Sequence, residues 1–350
     1  MKLAPVARAL AERPDVEHVI VHTGQHYDSE MSDAFFAALA IPRPAHNLGV
    51  GSGTHAQQTA TIMLRLEPIL ALVRPDVVLV YGDVNSTVAA ALVAAKLGFR
   101  VGHVEAGLRS GDRTMPEEIN RVVTDRLSDV LFTPSCDALE NLRREGCPDE
   151  RIHFVGNVMI DSLVWALPAA RGLDQPRRYD LTPGRYIVVT LHRPSNVDEP
   201  ATLAELMDGL VTLSAAEPVL FPVHPRTRER LRRLGYAFSR HPGLRLLDPL
   251  GYLEMLGLVA SAHIVVTDSG GLQEETSYLG VPCLTVRPNT ERPITCLQGT
   301  NRLVPARRDA IVNAVRDGHA DSFLPRVAIE RWDGRAAQRL VSVLCDGAAQ

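Results

Sequence analysis

The sequence predicts an α/β protein made of two parallel-sheet units, and three observations carry that prediction. At roughly 150 residues per domain, 350 residues are enough for two domains and two cores. Short β-branched runs alternate with helix-spaced apolar segments along most of the chain. Those runs are continuously apolar rather than alternating, as strands buried on both faces must be.

The predicted strands of the first half are VEHVIVHT, PDVVLVYGD, RVGHVEAG, DVLFTPS and RIHFVGN. Those of the second half are RYIVVTLH, PVLFPVH, LRLLDP, HIVVTDSGG and VPCLTV. Segments such as STVAAALVAAKLG and GYLEMLGLVASA lie between them, with apolar residues spaced for one helix face. The periodicity lapses over LPAARGLDQPRRYDLTPG, a Pro/Gly/Arg-rich stretch read as a linker over 167–184. The expected organisation is therefore a doubly wound, Rossmann-like domain over 1–166, a second over 185–333, and a last helix within 334–350 that packs back on the first. Two such units should enclose a cleft, with strand C-terminal ends facing it. The first recognisable element is a helix, Met1 to Glu12, where a doubly wound domain normally opens with a strand.

Composition narrows the function classes. Hydrophobic residues at 45% and charged residues at 22% exclude a disordered or fibrous chain. Lys+Arg 37 against Asp+Glu 41 gives a formal −4, so no global basic field points to nucleic acid. Cys136, Cys147, Cys283, Cys296 and Cys345 are scattered without CxxC spacing. They suit a reducing compartment and give no metal cluster. Apolar runs are strand-length and do not span a membrane, and Arg8, Glu12 and Arg13 interrupt the opening apolar stretch. A cytoplasmic protein is the expectation.

In open α/β sheets, chemistry collects in the loops after the strands. GDVNST puts Asp83 at a strand end, either as a helix-capping group or as a reactive acid. HVEAGLRS ends a strand on Glu105, which needs a partner if buried. Arg109 in a structural pair and a proton-transfer role are the two readings. PEEINR opens a helix, with Glu117 and Arg121 four residues apart on one face, as in a surface ion pair or a shared site. TLHRPSN ends the first strand of the second domain in His192 and Arg193, and HPR ends the next with His224 and Arg226. TDSGGLQEE runs a strand into Asp268, Ser269, Gly270 and Gly271 and then a helix, whose free N–H groups and dipole suit a phosphate. Glu274 and Glu275 follow, either stabilising the helix end or accepting from ribose hydroxyls. The pattern is neither Walker A nor GxGxxG, so ATP and NAD lack support. The residues alone thus indicate a two-domain nucleotide-sugar enzyme.

Taken together, GQHYD, GDVNST, HVEAGLRS, MPEEINR, TDRLSD, GNVMIDSL, TLHRPSN, DSGGLQEE and TERP resemble the non-hydrolysing UDP-N-acetylglucosamine 2-epimerases, in family order from about Met1 to Leu303. The resemblance implies a GT-B-like fold and reversible epimerisation at C2 without metal or redox cofactor. A base removes the C2 proton as UDP leaves C1, a 2-acetamidoglucal forms, and UDP re-adds to give UDP-N-acetylmannosamine. By motif match, Asp83, Glu105 and Glu117 resemble the acid/base carboxylates, and Arg121 and His192 the essential cations. Lys2, Ser269, Gly270, Gly271, Glu275 and Arg292 match substrate contacts. So do Leu250 and Met255 of DPLGYLEM, Met255 standing where an aromatic often packs on uracil. Gln25, His26 and His224 fall where some members bind a second UDP-GlcNAc as activator. A homodimer and a place in cell-envelope polysaccharide synthesis are further family expectations.

The chain departs from that pattern in two places. Members usually begin with a strand and a GTRPE-like loop ahead of Lys2, so an upstream start or a truncated chain is expected here. HRPSN replaces the more usual charged residues after the histidine. Alternative readings are a hydrolysing relative releasing N-acetylmannosamine, an epimerase of a UDP-diacetamido-uronic acid, a GT-B glycosyltransferase, and an inactive sugar-nucleotide-binding protein.

Overall fold

The computed structural model describes the chain except residues 25–35, 236–240, 318–327 and 347–350. It divides into two compact units, Met1–Ser162 with Glu330–Gln350, and Leu163–Ile329. Among the described residues, no helix is long and apolar enough to cross a membrane.

In the first unit, β3 (Val77–Tyr81), β4 (Arg100–Val104), β5 (Val130–Thr133) and β6 (Ile152–Phe154) form a parallel sheet in that order. A parallel pair, β1 (Val21–His22) and β2 (His46–Asn47), stands as a separate ladder. Alternate strand residues supply two cores, because successive side chains point to opposite faces. Val80 and Val101 pack with Ile62, Leu66 and Leu70 of the His55–Val73 helix and with Ala89 and Val93 of the Asn85–Lys96 helix. The spacing of Ile62, Leu66 and Leu70 makes them a single stripe on that helix. Val104, Val130 and Phe132 pack with Val6 and Leu10 of the Leu3–Ala11 helix and with Leu340 and Val341 of the Ala336–Asp346 helix. The chain's last described helix thus lies against its first.

The second unit is a six-stranded parallel sheet of β7 (Ile187–Thr190), β8 (Val219–Pro222), β9 (Leu244–Leu247), β10 (Ile264–Thr267), β11 (Cys283–Val286) and β12 (Asn301–Val304). Its spatial order is β12-β11-β10-β7-β8-β9. Read from the β9 edge this is the 3-2-1-4-5-6 order of dinucleotide-binding domains, with the direction of winding reversing between β7 and β10. The loops that leave β7 and β10 therefore flank the place where such sheets receive ligands.

Two features differ from the sequence expectation. The stretch 167–184, read as a linker, carries the end of a continuous helix, Val158–Gly172, and a short helix, Gln175–Arg178. Leu181 enters the core with Tyr186 and Val188, and a Cβ on Gly257 would sit 2.8 Å from the Ala170 carbonyl. Close packing overrides a local composition of Pro, Gly and Arg. Strand β12 was not among the predicted strands. Asn301 and Val304 are buried while Arg302 is exposed, as suits an edge strand, so the continuous apolar run is missing.

Asp161 of the GNVMIDSL segment closes the end of the Ala336–Asp346 helix. Its carboxylate accepts from the Ala336 and Ala337 N–H groups at 3.1 and 2.7 Å, satisfying amides that the helix itself leaves open. Burial raises the carboxyl's pKa. Asp161→Ala is expected to lower unfolding stability by about 1–2 kcal/mol, the usual cost of losing an N-terminal cap. A urea midpoint unchanged from wild type would rule this cap out.

Candidate active site

In the first unit, polar groups converge on the turns after β3 and β4. The β3 turn carries Gly82 and Asp83. The Asp83 carboxylate receives Arg121 Nε at 2.9 Å and Nη2 at 2.6 Å, and Asn120 donates to the Asp83 carbonyl at 2.9 Å. The third arm of Arg121, Nη1, reaches Glu118 at 2.7 Å. Glu118 is buried and also accepts from the N–H groups of Ser110 and Gly111 at 2.9 and 3.0 Å. Burial alone would raise its pKa, but those donors and Arg121 more than offset it, so Glu118 lies below the usual carboxylate range.

Glu105 directly follows β4 with φ +77°, a left-handed conformation that costs a residue with a side chain on the order of 1 kcal/mol. Such strain at a strand end is the kind found in ligand clamps and active sites. Its buried carboxylate is ion-paired with Lys2. Gly82, at φ +68°, lies beneath the lysine, and a Cβ there would stand 2.5 Å from Lys2 Nζ. Fully buried His103 links the β3 turn to the Pro116–Leu127 helix, with Nε2 2.8 Å from the Gly82 carbonyl and Nδ1 2.6 Å from Asp125. Asp125 also accepts from the Gly107 N–H at 3.1 Å and from Arg109 at 2.7 Å. Burial opposes ionisation of Asp125, while His103 and Arg109 hold its pKa below the ordinary value.

Two pairings considered from sequence are corrected by this geometry. Glu105 meets Lys2 rather than Arg109, whose partners are Asp125 and Glu145. Arg121 pairs with Asp83 and with Glu118, three residues before it, rather than with Glu117. Glu117 is half-buried at the start of the Pro116–Leu127 helix, and no hydrogen bond or ion pair to a described residue holds its carboxylate.

In the second unit, His192 lies just after β7 and Asp268 directly after β10, on the two sides of the winding reversal. Asp268 is fully buried and accepts from the N–H groups of His192 and Arg193 and from Asn196 Nδ2 at 2.9–3.1 Å. His192 Nδ1 lies 3.0 Å from the same carboxylate, with the rest of that side chain largely exposed. These donors outweigh the burial penalty and hold Asp268 below the usual carboxylate range.

Ser269, Gly270 and Gly271 then open the Gly270–Leu279 helix, with no side-chain cap hydrogen bond from Ser269 to its first amides. A Cβ on Gly270 would lie 2.6 Å from Arg292 and 2.8 Å from Glu291. Arg292 itself is buried and ion-paired with Glu274 and Glu291. Glu275 is buried, accepts from the Tyr252 hydroxyl at 3.1 Å, and has its pKa pushed up to about 7 by burial, with Glu274 adding to the rise. Leu250 and Met255 are partly buried against the cluster that includes Leu272. His224 is exposed at the end of the strand-to-helix loop after β8, while Gln25 and His26 lie outside the described residues. Among the described residues, no group of three or more His, Cys, Asp and Glu side chains could hold a metal ion.

Sequence reasoning missed Glu118, Asp268 and the His103–Asp125 pair as organisers. Each is an acid or histidine inside an otherwise apolar or motif-rich segment, and burial without a visible partner was the available signal.

Paired glycines opening an uncapped helix at the winding reversal, with a strained buried Glu105 in a second Rossmann-like unit, point to a GT-B-like protein of the nucleotide-sugar class. The sequence profile of the UDP-N-acetylglucosamine 2-epimerases matches residues 8–345, and the chain belongs to that family. It is 42% identical to the UDP-N-acetylglucosamine 2-epimerase of Methanocaldococcus jannaschii, across 99% of this chain and 96% of the relative. The UDP-2,3-diacetamido-2,3-dideoxy-D-glucuronate 2-epimerase of Pseudomonas aeruginosa is 43% identical across 90% of this chain and 88% of its own. Among solved structures, the M. jannaschii enzyme in complex with UDP-GlcNAc and UDP aligns with TM-score 0.89 and 40% identity, covering 99% of this chain and 96% of that one. The Neisseria meningitidis UDP-GlcNAc 2-epimerase bound to UDP-GlcNAc also aligns at 0.89, with 29% identity over 99% and 96% of the two chains.

Glu275 makes stability depend on pH. Its folded pKa of about 7 exceeds the ordinary 4.5, so the folded chain holds this proton more tightly. The associated stability is complete below the unfolded value and is lost as pH rises through the folded one. Glu275→Gln, permanently neutral, should therefore match wild type at acidic pH. It should gain on wild type by up to about 3 kcal/mol in alkaline buffer. Denaturant titrations at the two pH extremes measure the difference, and a constant gap would refute it.

Proposed function

We propose that this protein reversibly epimerises C2 of UDP-N-acetylglucosamine, giving UDP-N-acetylmannosamine without net hydrolysis. The observation that carries this reading is the pairing of a strained, buried Glu105 with Lys2 and of Asp83 with Arg121, beside a Glu117 carboxylate that no described residue engages. Carboxylates in such different surroundings can divide acid and base roles.

A hydrogen on C2 beside an acetal carbon is weakly acidic, so leaving-group stabilisation must supply much of the rate. The proton leaves C2 to a carboxylate, its electron pair forms the C1–C2 double bond, and the C1–O bond breaks with its electrons going to UDP. The amides after Ser269 and the His192 ring are suited to the departing diphosphate charge. Proton delivery to the opposite face of C2 and re-addition of UDP at C1 complete the inversion. Glu275 accepts from ribose hydroxyls in this reading, and Met255 covers the base.

The Pseudomonas relative supports a second reading, the same chemistry on a UDP-2,3-diacetamido uronate. Incubation in deuterated water with each sugar nucleotide, followed by NMR, separates the readings. UDP-N-acetylmannosamine carrying deuterium at C2 is the expected product. Free N-acetylmannosamine would replace the non-hydrolysing assignment, and turnover of the uronate alone would transfer the activity to that substrate. Asp83→Asn and Glu117→Gln are each expected to slow C2 exchange by roughly 100-fold or more while leaving the chain folded. Near-wild-type exchange in both removes the acid/base assignment.

A further inference from the structure

We propose that Asp268 is the positioning residue for His192, fixing the proton on Nδ1 so that Nε2 is the ring nitrogen that meets substrate. The importance for turnover rests on the role given to His192 above. The ring geometry is independent of it.

The Asp268 carboxylate is fully buried and surrounded by donors. Its Oδ2 accepts from the His192 N–H at 3.0 Å, the Arg193 N–H at 2.9 Å and Asn196 Nδ2 at 3.0 Å. The other oxygen, Oδ1, faces the His192 N–H at 3.1 Å and His192 Nδ1 at 3.0 Å. An ionised carboxylate only accepts, so the imidazole nitrogen beside it must donate. That selects the Nδ1–H tautomer when the ring is neutral and leaves Nε2 as the nitrogen that gains or gives a proton. The loop is braced from further sides by Arg193 Nε on the Asp268 carbonyl and Asn196 Nδ2 on the Val286 carbonyl, each at 3.0 Å. Because Ser269 and Gly270 follow directly, one residue orients both the histidine and the start of the phosphate-facing helix.

The same donors predict what an amide would do. In Asp268→Asn the side-chain oxygen is required at the Oδ2 position, where three donors meet. The NH2 group then occupies the Oδ1 position and points at His192 Nδ1, which can satisfy it only by accepting. The proton moves to Nε2, as happens when the aspartate of a serine-protease triad becomes asparagine.

The test uses the full chain with 15N-labelled histidine. Long-range 1H–15N correlation in alkaline buffer reports the tautomer of each ring, and His192→Asn assigns the signal. Wild type is expected to show Nδ1–H and Asp268→Asn to show Nε2–H. In the variant, kcat for C2 exchange should fall at least roughly 100-fold, with KM changed by less than about threefold. An Nε2–H tautomer at His192 in the wild type overturns the inference. An unaltered tautomer or full kcat in Asp268→Asn also overturns it. Normal exchange in His192→Asn instead overturns the role given to His192 in the proposed function, and with it the catalytic half of this inference.

Discussion

A carboxylate taken out of water must be met by donors, or it will not remain ionised. This constraint organises both units. Asp125 is met by His103, Arg109 and a backbone amide, and Glu118 by two amides, a hydroxyl and Arg121. Asp268 is met by two amides, an asparagine and a histidine ring. Each such acid gathers a loop around itself, and the loops so gathered carry the candidate reactive groups.

Glu275 follows the opposite course. With the Tyr252 hydroxyl donating to it and Glu274 nearby, its ionisation is disfavoured by burial. Asp268 and Glu275 lie on the same strand-helix segment and yet have pKa values displaced in opposite directions. Local donor supply, rather than depth alone, decides between them.

Much of the site was legible because α/β sheets expose chemistry at strand ends. An acid one residue past VVLVY or within RVGHVEAG is conspicuous in sequence, as is SGG at the start of a helix. Partners were less legible. The i,i+4 spacing suggested Glu117 for Arg121, but the helix presents Glu118 to it, and Asp83 arrives from 38 residues away. Lys2 and Glu105 are 103 residues apart and meet through folding alone.

The sequence by itself determined the alternation of strands and helices, the parallel character of the sheets and the SGG turn from a strand into a helix. Periodicity, run length and glycine spacing are local properties, and each reports directly on local backbone geometry. Tertiary structure decided the winding reversal between β7 and β10, the edge strand β12, the helical identity of the stretch around Pro168, and which cation neutralises which acid. Those outcomes depend on distances between residues far apart in the chain, and a buried charge selects its partner only after packing has set those distances.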